Sequence, residues 1–124
     1  MEPALVLRTA VVLLAIAALG GLVMAGMRFA GKPHPPSSLA MLHGFLAAAA
    51  VTLLLYAAFT VGLPSLAVGA LILFLIAAAG GVVLNQNYHW KNIPLPKWLV
   101  VVHAVVAVIG FLLLLAAAWA TRGA

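Results

Sequence analysis

The chain has 124 residues, 68% of them hydrophobic and 6% charged, with a formal net charge of +5 and a mean hydropathy of +1.32. A soluble domain of this size needs a polar shell that this composition does not supply, so the chain reads as an integral membrane protein. It has no cysteine, which excludes disulfides, thiolate metal sites, c-type haem attachment and quinone-linked disulfide chemistry. The bases are few and dispersed, and they read as topology signals rather than a nucleic-acid patch.

Four apolar runs are long enough to span, since about 20 helical residues cross roughly 30 Å of hydrocarbon. The spans are predicted at about 5–27, 39–61, 66–88 and 98–120. The first is too long for a signal-peptide core and lacks a cleavage site, so it is expected to stay as a helix. The breaks "RFAGKPHPPSS", "GLPS" and "NYHWKNIPLPK" carry the glycine and proline that helix ends require. Short links make antiparallel neighbours, so the expected fold is all-α: a single membrane domain over 1–124, an up-down four-helix bundle. Arg28, Lys32, Lys91 and Lys97 fall in the first and third links, while Arg8, Arg122 and Glu2 mark the other side. The excess of bases puts loops 28–38 and 89–97 in the cytoplasm and both termini outside, in a bacterial-type inner membrane.

An internal repeat organises the chain. At a gapless offset of sixty, Gly20-Gly21 falls on Gly80-Gly81, Pro36 on Pro96, His43 on His103, Ala47 on Ala107, and Leu53-Leu54-Leu55 on Leu113-Leu114-Leu115. Alanine and leucine matches are cheap in so biased a chain; the glycine pair, proline and histidine in one frame are not. Two tandem helical hairpins related by a pseudo-two-fold axis along the membrane normal are expected.

The repeat sets two histidines at one depth. His43 and His103 both follow helix starts on the same side, roughly 7 to 10 Å below the surface at 1.5 Å per residue. A polar ring inside the membrane is costly unless something satisfies it, so each is a functional candidate. The glycine pairs lie near the same level on the other two helices. One layer therefore holds two opposed imidazoles and two notches at Gly20, Gly21, Gly80 and Gly81, with Ala47 and Ala107 keeping the next turn open. A flat apolar disc with two axial ligands fits that layer, and haem b is the candidate. Arg28, Lys32, Lys91 and Lys97 are candidates for its propionates and for docking an electron partner.

His43 and His103 on the second and fourth helices, with glycines opposite, resemble the membrane-bound b-type cytochromes: the cytochrome b subunits of bacterial hydrogenases and formate dehydrogenases, and free-standing four-helix relatives. The resemblance implies one bis-histidine haem b and electron transfer with quinone, superoxide or a partner redox protein, alone or within a larger membrane complex. Many relatives hold two haems through four histidines at two depths. Here no deep histidine stands on the far side, which argues for one. A second haem using His89 or His34 stays open, as do two roles for Asn85, Gln86 and Asn87: capping a helix end or lining a polar pocket.

Three other readings compete. The first treats the histidine pair as structural glue between helices. The second is a small transporter or channel. "GGLVMAGMRFA" resembles the start of the small fluoride channels at Gly20, Gly21 and Arg28 only, and Glu2, the only acid, cannot serve as the intramembrane carboxylate of a multidrug exporter. The third is a cofactor-free accessory subunit of a membrane complex. A copper or zinc site on the histidines alone would need the loops to fold inward.

Overall fold

In the computed structural model, which describes residues 2–121, the chain forms four helices and, among those residues, no strand. Helix α1 spans Pro3–Phe29, α2 Ser37–Phe59, α3 Ser65–Val83 and α4 Lys97–Thr121, and a π-helical turn at Leu84–His89 continues α3. The bounds lie one or two residues from the expected ones, except that the third span changes helix type at Leu84. Arg122, an expected topology marker, lies outside the described residues. All four helices are long and apolar enough to cross a membrane, counting Ser65–His89 as one span.

Each helix end has a local cause. Pro3 occupies the first turn of α1, where its missing N–H costs nothing. At the other end Gly31 adopts φ 109°, the Lys32 N–H donates to the Met27 carbonyl, and the Gly31 N–H donates to that of Arg28. This is a Schellman closure, and it needs the left-handed residue. The third link repeats it with Asn92 at φ 55°, the Ile93 N–H on the Tyr88 carbonyl and the Asn92 N–H on that of His89.

Helix α1 packs chiefly on α2 and α3 on α4; the two hairpins then meet more closely along α1 and α4 than along α2 and α3. All four contact stripes follow a spacing of three and four residues: Leu7, Ala10, Leu14 and Ala17 on α1, Ala50, Leu54 and Ala57 on α2, Ala67, Ala70, Phe74 and Ala77 on α3, Gly110, Leu114 and Ala117 on α4. This is the seam of near-parallel helices with shallow crossing.

The core occupies only one end. Leu7, Leu54, Leu114 and Val6 are fully buried there, and alanines between them let the backbones approach. Gly110 is the tightest glycine of this end: a Cβ would stand 3.1 Å from Phe74 Cε1 and 3.3 Å from Leu73 Cβ. The end that carries the first and third links is packed loosely, and the histidines are there.

Candidate cofactor site

Extended toward those links, the seam reads Ala40, His43 and Ala47 on α2, and Val100, His103 and Ala107 on α4. On α1 and α3 it reaches Gly21 and Gly81. His43 and His103 thus occupy inward positions where the closed end has leucine or alanine. Each imidazole is anchored identically. His43 Nδ1 lies 2.7 Å from the Ala17 carbonyl oxygen and His103 Nδ1 lies 2.7 Å from that of Ala77. A carbonyl only accepts, so Nδ1 carries the proton in both rings. In a neutral imidazole this leaves Nε2 with its lone pair. The ring centres stand 6.2 Å apart with their planes at 71°.

The glycines make this possible in a way the sequence did not suggest. The expectation assigned Gly20, Gly21, Gly80 and Gly81 to a porphyrin; the structure gives the nearest space to the imidazoles themselves. A Cβ on Gly21 would lie 2.9 Å from His43 Cε1, and one on Gly81 would lie 3.2 Å from His103 Cε1. Gly20 and Gly80 are looser, with nearest neighbours at 3.8 and 3.6 Å. The backbone of each glycine pair is a seat for one ring.

Between the hairpins lies a cavity of about 510 Å³ lined by both histidines, by Gly21, Gly81, Ala47 and Ala107, and by residues of all four helices. Its floor is Leu14 and Val51 from one hairpin and Phe74 and Phe111 from the other. All of its lining residues except Thr52 and His89 fall into pairs sixty positions apart. The volume lies within the range of ordinary ligand pockets.

The π-helical turn breaks this equivalence. Its wide turn inserts one residue, marked by the Trp90 N–H donating to the Asn85 carbonyl, and so advances the seam by one position. Leu84 and Asn85 both line the cavity, as Met24 and Ala25 do on α1, and His89 lines it where Tyr88 would otherwise continue the inward stripe. The link to α4 is one residue shorter in compensation, which restores the offset by Pro35 and Leu95. Sequence alignment sets His89 against Phe29, but counted from the left-handed cap residue it stands where Arg28 stands on α1. Asn85 is therefore a cavity residue; Gln86 and Asn87 are exposed. The carbonyl partners at this end are main-chain amides.

The two links close over the mouth. The Leu95 N–H donates to the Pro33 carbonyl, and Arg28 Nε donates to the Leu95 carbonyl at 2.7 Å. Pro35 and Leu95 are buried. The His34 and His89 rings stack at 5.1 Å with planes 23° apart; a face-to-face stack does not aim the nitrogen lone pairs at one metal. None of the four expected basic residues lines the cavity. Arg28 spans the links and also approaches the Lys32 carbonyl at 3.5 Å, Lys97 Nζ sits 5.6 Å from the centre of the Phe29 ring, and Lys32 and Lys91 are exposed.

Among the described residues, no three of His, Cys, Asp and Glu come together. A metal held by protein ligands alone would have two imidazoles and nothing else nearby. No protein-family model, curated protein or solved structure matches the chain.

Proposed function

We propose that this chain is a membrane b-type cytochrome that holds one haem b between His43 and His103 and exchanges single electrons with quinone, superoxide or a redox partner protein. The observation that carries the reading is the imidazole pair. An imidazole nitrogen bonds a metal at about 2 Å and sits about 1 Å from its ring centre, so two imidazoles on opposite faces of one metal stand about 6 Å centre to centre. The pair here stands at 6.2 Å. The carbonyls of Ala17 and Ala77 fix Nδ1 as the donor, which is the tautomer and outer-shell partner that a ligating imidazole requires. A porphyrin supplies its own four equatorial nitrogens, so a site with two protein ligands suffices for iron, whereas tetrahedral zinc or copper would lack partners.

The mostly apolar lining supports a flat apolar disc as the occupant. Alanine and glycine open the walls, and leucine, valine and phenylalanine close the floor. The pairing of lining residues at sixty supports two hairpin repeats about a pseudo-two-fold axis that runs between the histidines. Haem held by both His43 and His103 would supply one-electron transfer rather than oxygen chemistry. The chain's own part is to exclude water, fix the two imidazoles and set the haem near the surface formed by the first and third links. Arg28, Lys32, Lys91 and Lys97 cluster at that surface and favour the cytoplasmic side, with both termini outside; they also suit it to docking an acidic partner.

The test is the optical spectrum of the detergent-purified protein, oxidised and dithionite-reduced, with a pyridine haemochrome count. A sharp reduced α band and about one haem b per chain are expected. A protein that stays colourless when haem is supplied during expression refutes the reading and leaves the pair as interhelical glue.

A further inference from the structure

Resting on the cytochrome reading, we propose that Asn85 and His89 receive a propionate carboxylate of the bound haem, in place of the four basic residues that the sequence put forward. The argument begins with what the basic residues are doing. Arg28 is committed to the Leu95 carbonyl and Lys97 to the Phe29 ring. Lys32 and Lys91 are exposed, and none of the four lines the cavity. A haem seated between His43 and His103 must nevertheless place its two carboxylates somewhere. The floor is Leu14, Val51, Phe74 and Phe111, with a single hydroxyl beside it at the exposed Thr52, whereas the link side carries two donors together, so the carboxylates face the links.

On that side the cavity wall carries two side chains with hydrogen-bond donors, Asn85 and His89, both on the π-helical turn. Their gapless counterparts in the other hairpin are Ala25 and Phe29. Among the described residues no hydrogen bond engages either side chain; the His89 ring has only its stack on His34. Asn85 holds a lining position that Ala25 also holds on α1, and the π-turn adds His89 beside it where Tyr88 would otherwise stand. Single π-turns in α-helices recur at functional sites because they re-aim side chains in this way. A carboxamide N–H and an imidazole N–H set four residues apart on one face can both donate to one carboxylate, and hydrogen bonds to an ionised acceptor are the stronger class.

The experiment compares iron protoporphyrin IX with its dimethyl ester, which keeps the iron and the disc and removes both carboxylates. Each is titrated into full-length apoprotein in detergent, wild type and the double variant Asn85→Leu/His89→Phe, and the low-spin bis-histidine spectrum is followed. Phenylalanine keeps the stack on His34 while removing the donor. The wild type should prefer the diacid by about ten-fold or more, the scale of a charge-assisted hydrogen bond, and the double variant should lose that preference while binding the diester as the wild type does. The diester titration also reports folding, and if the double variant fails it, the single variants decide between the same two outcomes. A variant that keeps the wild-type ratio overturns the carboxylate assignment and leaves His43 and His103 as ligands. A wild type that binds neither compound overturns the cytochrome reading with it.

Discussion

Adding one methyl group at Gly21 probes the histidine layer most directly. The new Cβ would sit 2.9 Å from His43 Cε1, 3.4 Å from Nδ1 and 3.8 Å from Nε2. Real carbon contacts stand near 3.5 to 4.0 Å, so the ring must retreat by about half an ångström or more. It cannot do so freely, because Nδ1 is held by the Ala17 carbonyl at 2.7 Å and Cε1 lies between the two nitrogens. Relief stretches that bond, worth about 1 kcal/mol, or shifts α1 off α2, an overpacking cost of about 1–3 kcal/mol. Either way Nε2 is displaced. Gly21→Ala should therefore lower haem affinity about ten-fold or more, taking the tenfold per 1.4 kcal/mol of a binding equilibrium. Gly81→Ala, with its closest contact at 3.2 Å, should do the same more weakly. Gly20→Ala and Gly80→Ala, at 3.8 and 3.6 Å, should bind as the wild type. The assay is haem occupancy by pyridine haemochrome at matched protein, with electron paramagnetic resonance reporting the axial field. Equal loss in Gly20→Ala and Gly21→Ala would refute the reasoning, because only the second touches the ring edge.

Four further outcomes follow from other contacts. His43→Ala and His103→Ala should each abolish stable haem retention, while His34→Ala should leave it intact; full haem content in both of the first two would remove the ligand assignment. Leu54→Ala and Leu114→Ala, which empty fully buried sites at the closed end, should each cost about 2 kcal/mol in detergent unfolding without moving the haem bands. Gly110→Ala should destabilise the α3–α4 pair by about 1–3 kcal/mol through Phe74 and Leu73, read by the same unfolding assay, whereas Ala50→Gly at its counterpart should weaken α2 by no more than about 1 kcal/mol. Arg28→Gln should loosen the tie between the two links and raise the rate of proteolysis within residues 90–96, with haem content unchanged if the carboxylates rest on Asn85 and His89.

Much of the architecture was legible because composition and breaks left little choice. Runs of twenty apolar residues separated by "GKPHPP", "GLPS" and "KNIPLPK" define four helices. The offset of sixty singled out His43 and His103 before any distance was known. What stayed hidden has two physical causes. First, every face of these helices is apolar, so the inward stripe carries no hydrophobicity contrast with the lipid-facing one. It shows only as residue size: Leu7, Leu54 and Leu114 toward one end, Gly21, Ala47, Gly81 and Ala107 toward the other. The hollow end was thus written in small residues at a spacing of three and four, a signal that polar contrast would have made plain in a soluble bundle. Second, a gapless alignment cannot register a π-turn. The hint is a mismatch of one between Gly31 and Asn92 as left-handed caps; without it His89 falls on Phe29, and the sequence leaves Asn85 open between a cap and a pocket residue. The basic residues failed as cavity contacts for a simpler reason: long side chains at a helix end reach carbonyls, rings and water outward, and Arg28 found the Leu95 carbonyl.

The division of the bundle into a packed end and a hollow end has a consequence for how the site is held. In lipid, helices associate through close packing and hydrogen bonds rather than through hydrophobic burial, so a cavity at the centre removes the very contacts that join the hairpins. Here those contacts are concentrated around Leu7, Leu54, Leu114 and Gly110, about two to four turns from the histidine layer along the seam. The hairpins are then joined again beyond the cavity by Arg28, Pro33 and Leu95. The hollow layer is spanned from both sides, and within each hairpin an imidazole–carbonyl bond ties it to its neighbour: His43 to α1 and His103 to α3. Neither bond crosses between hairpins. The rings are therefore positioned independently, each against its own glycine, before anything lies between them. Such a layer can be preformed without its ligand, and a ligand bridging the two rings adds the one cross-hairpin link the layer lacks. If haem is that ligand, it should raise the unfolding midpoint of the bundle, and more so in a variant weakened at Leu54 than in one weakened at Gly21, where the seat itself is lost.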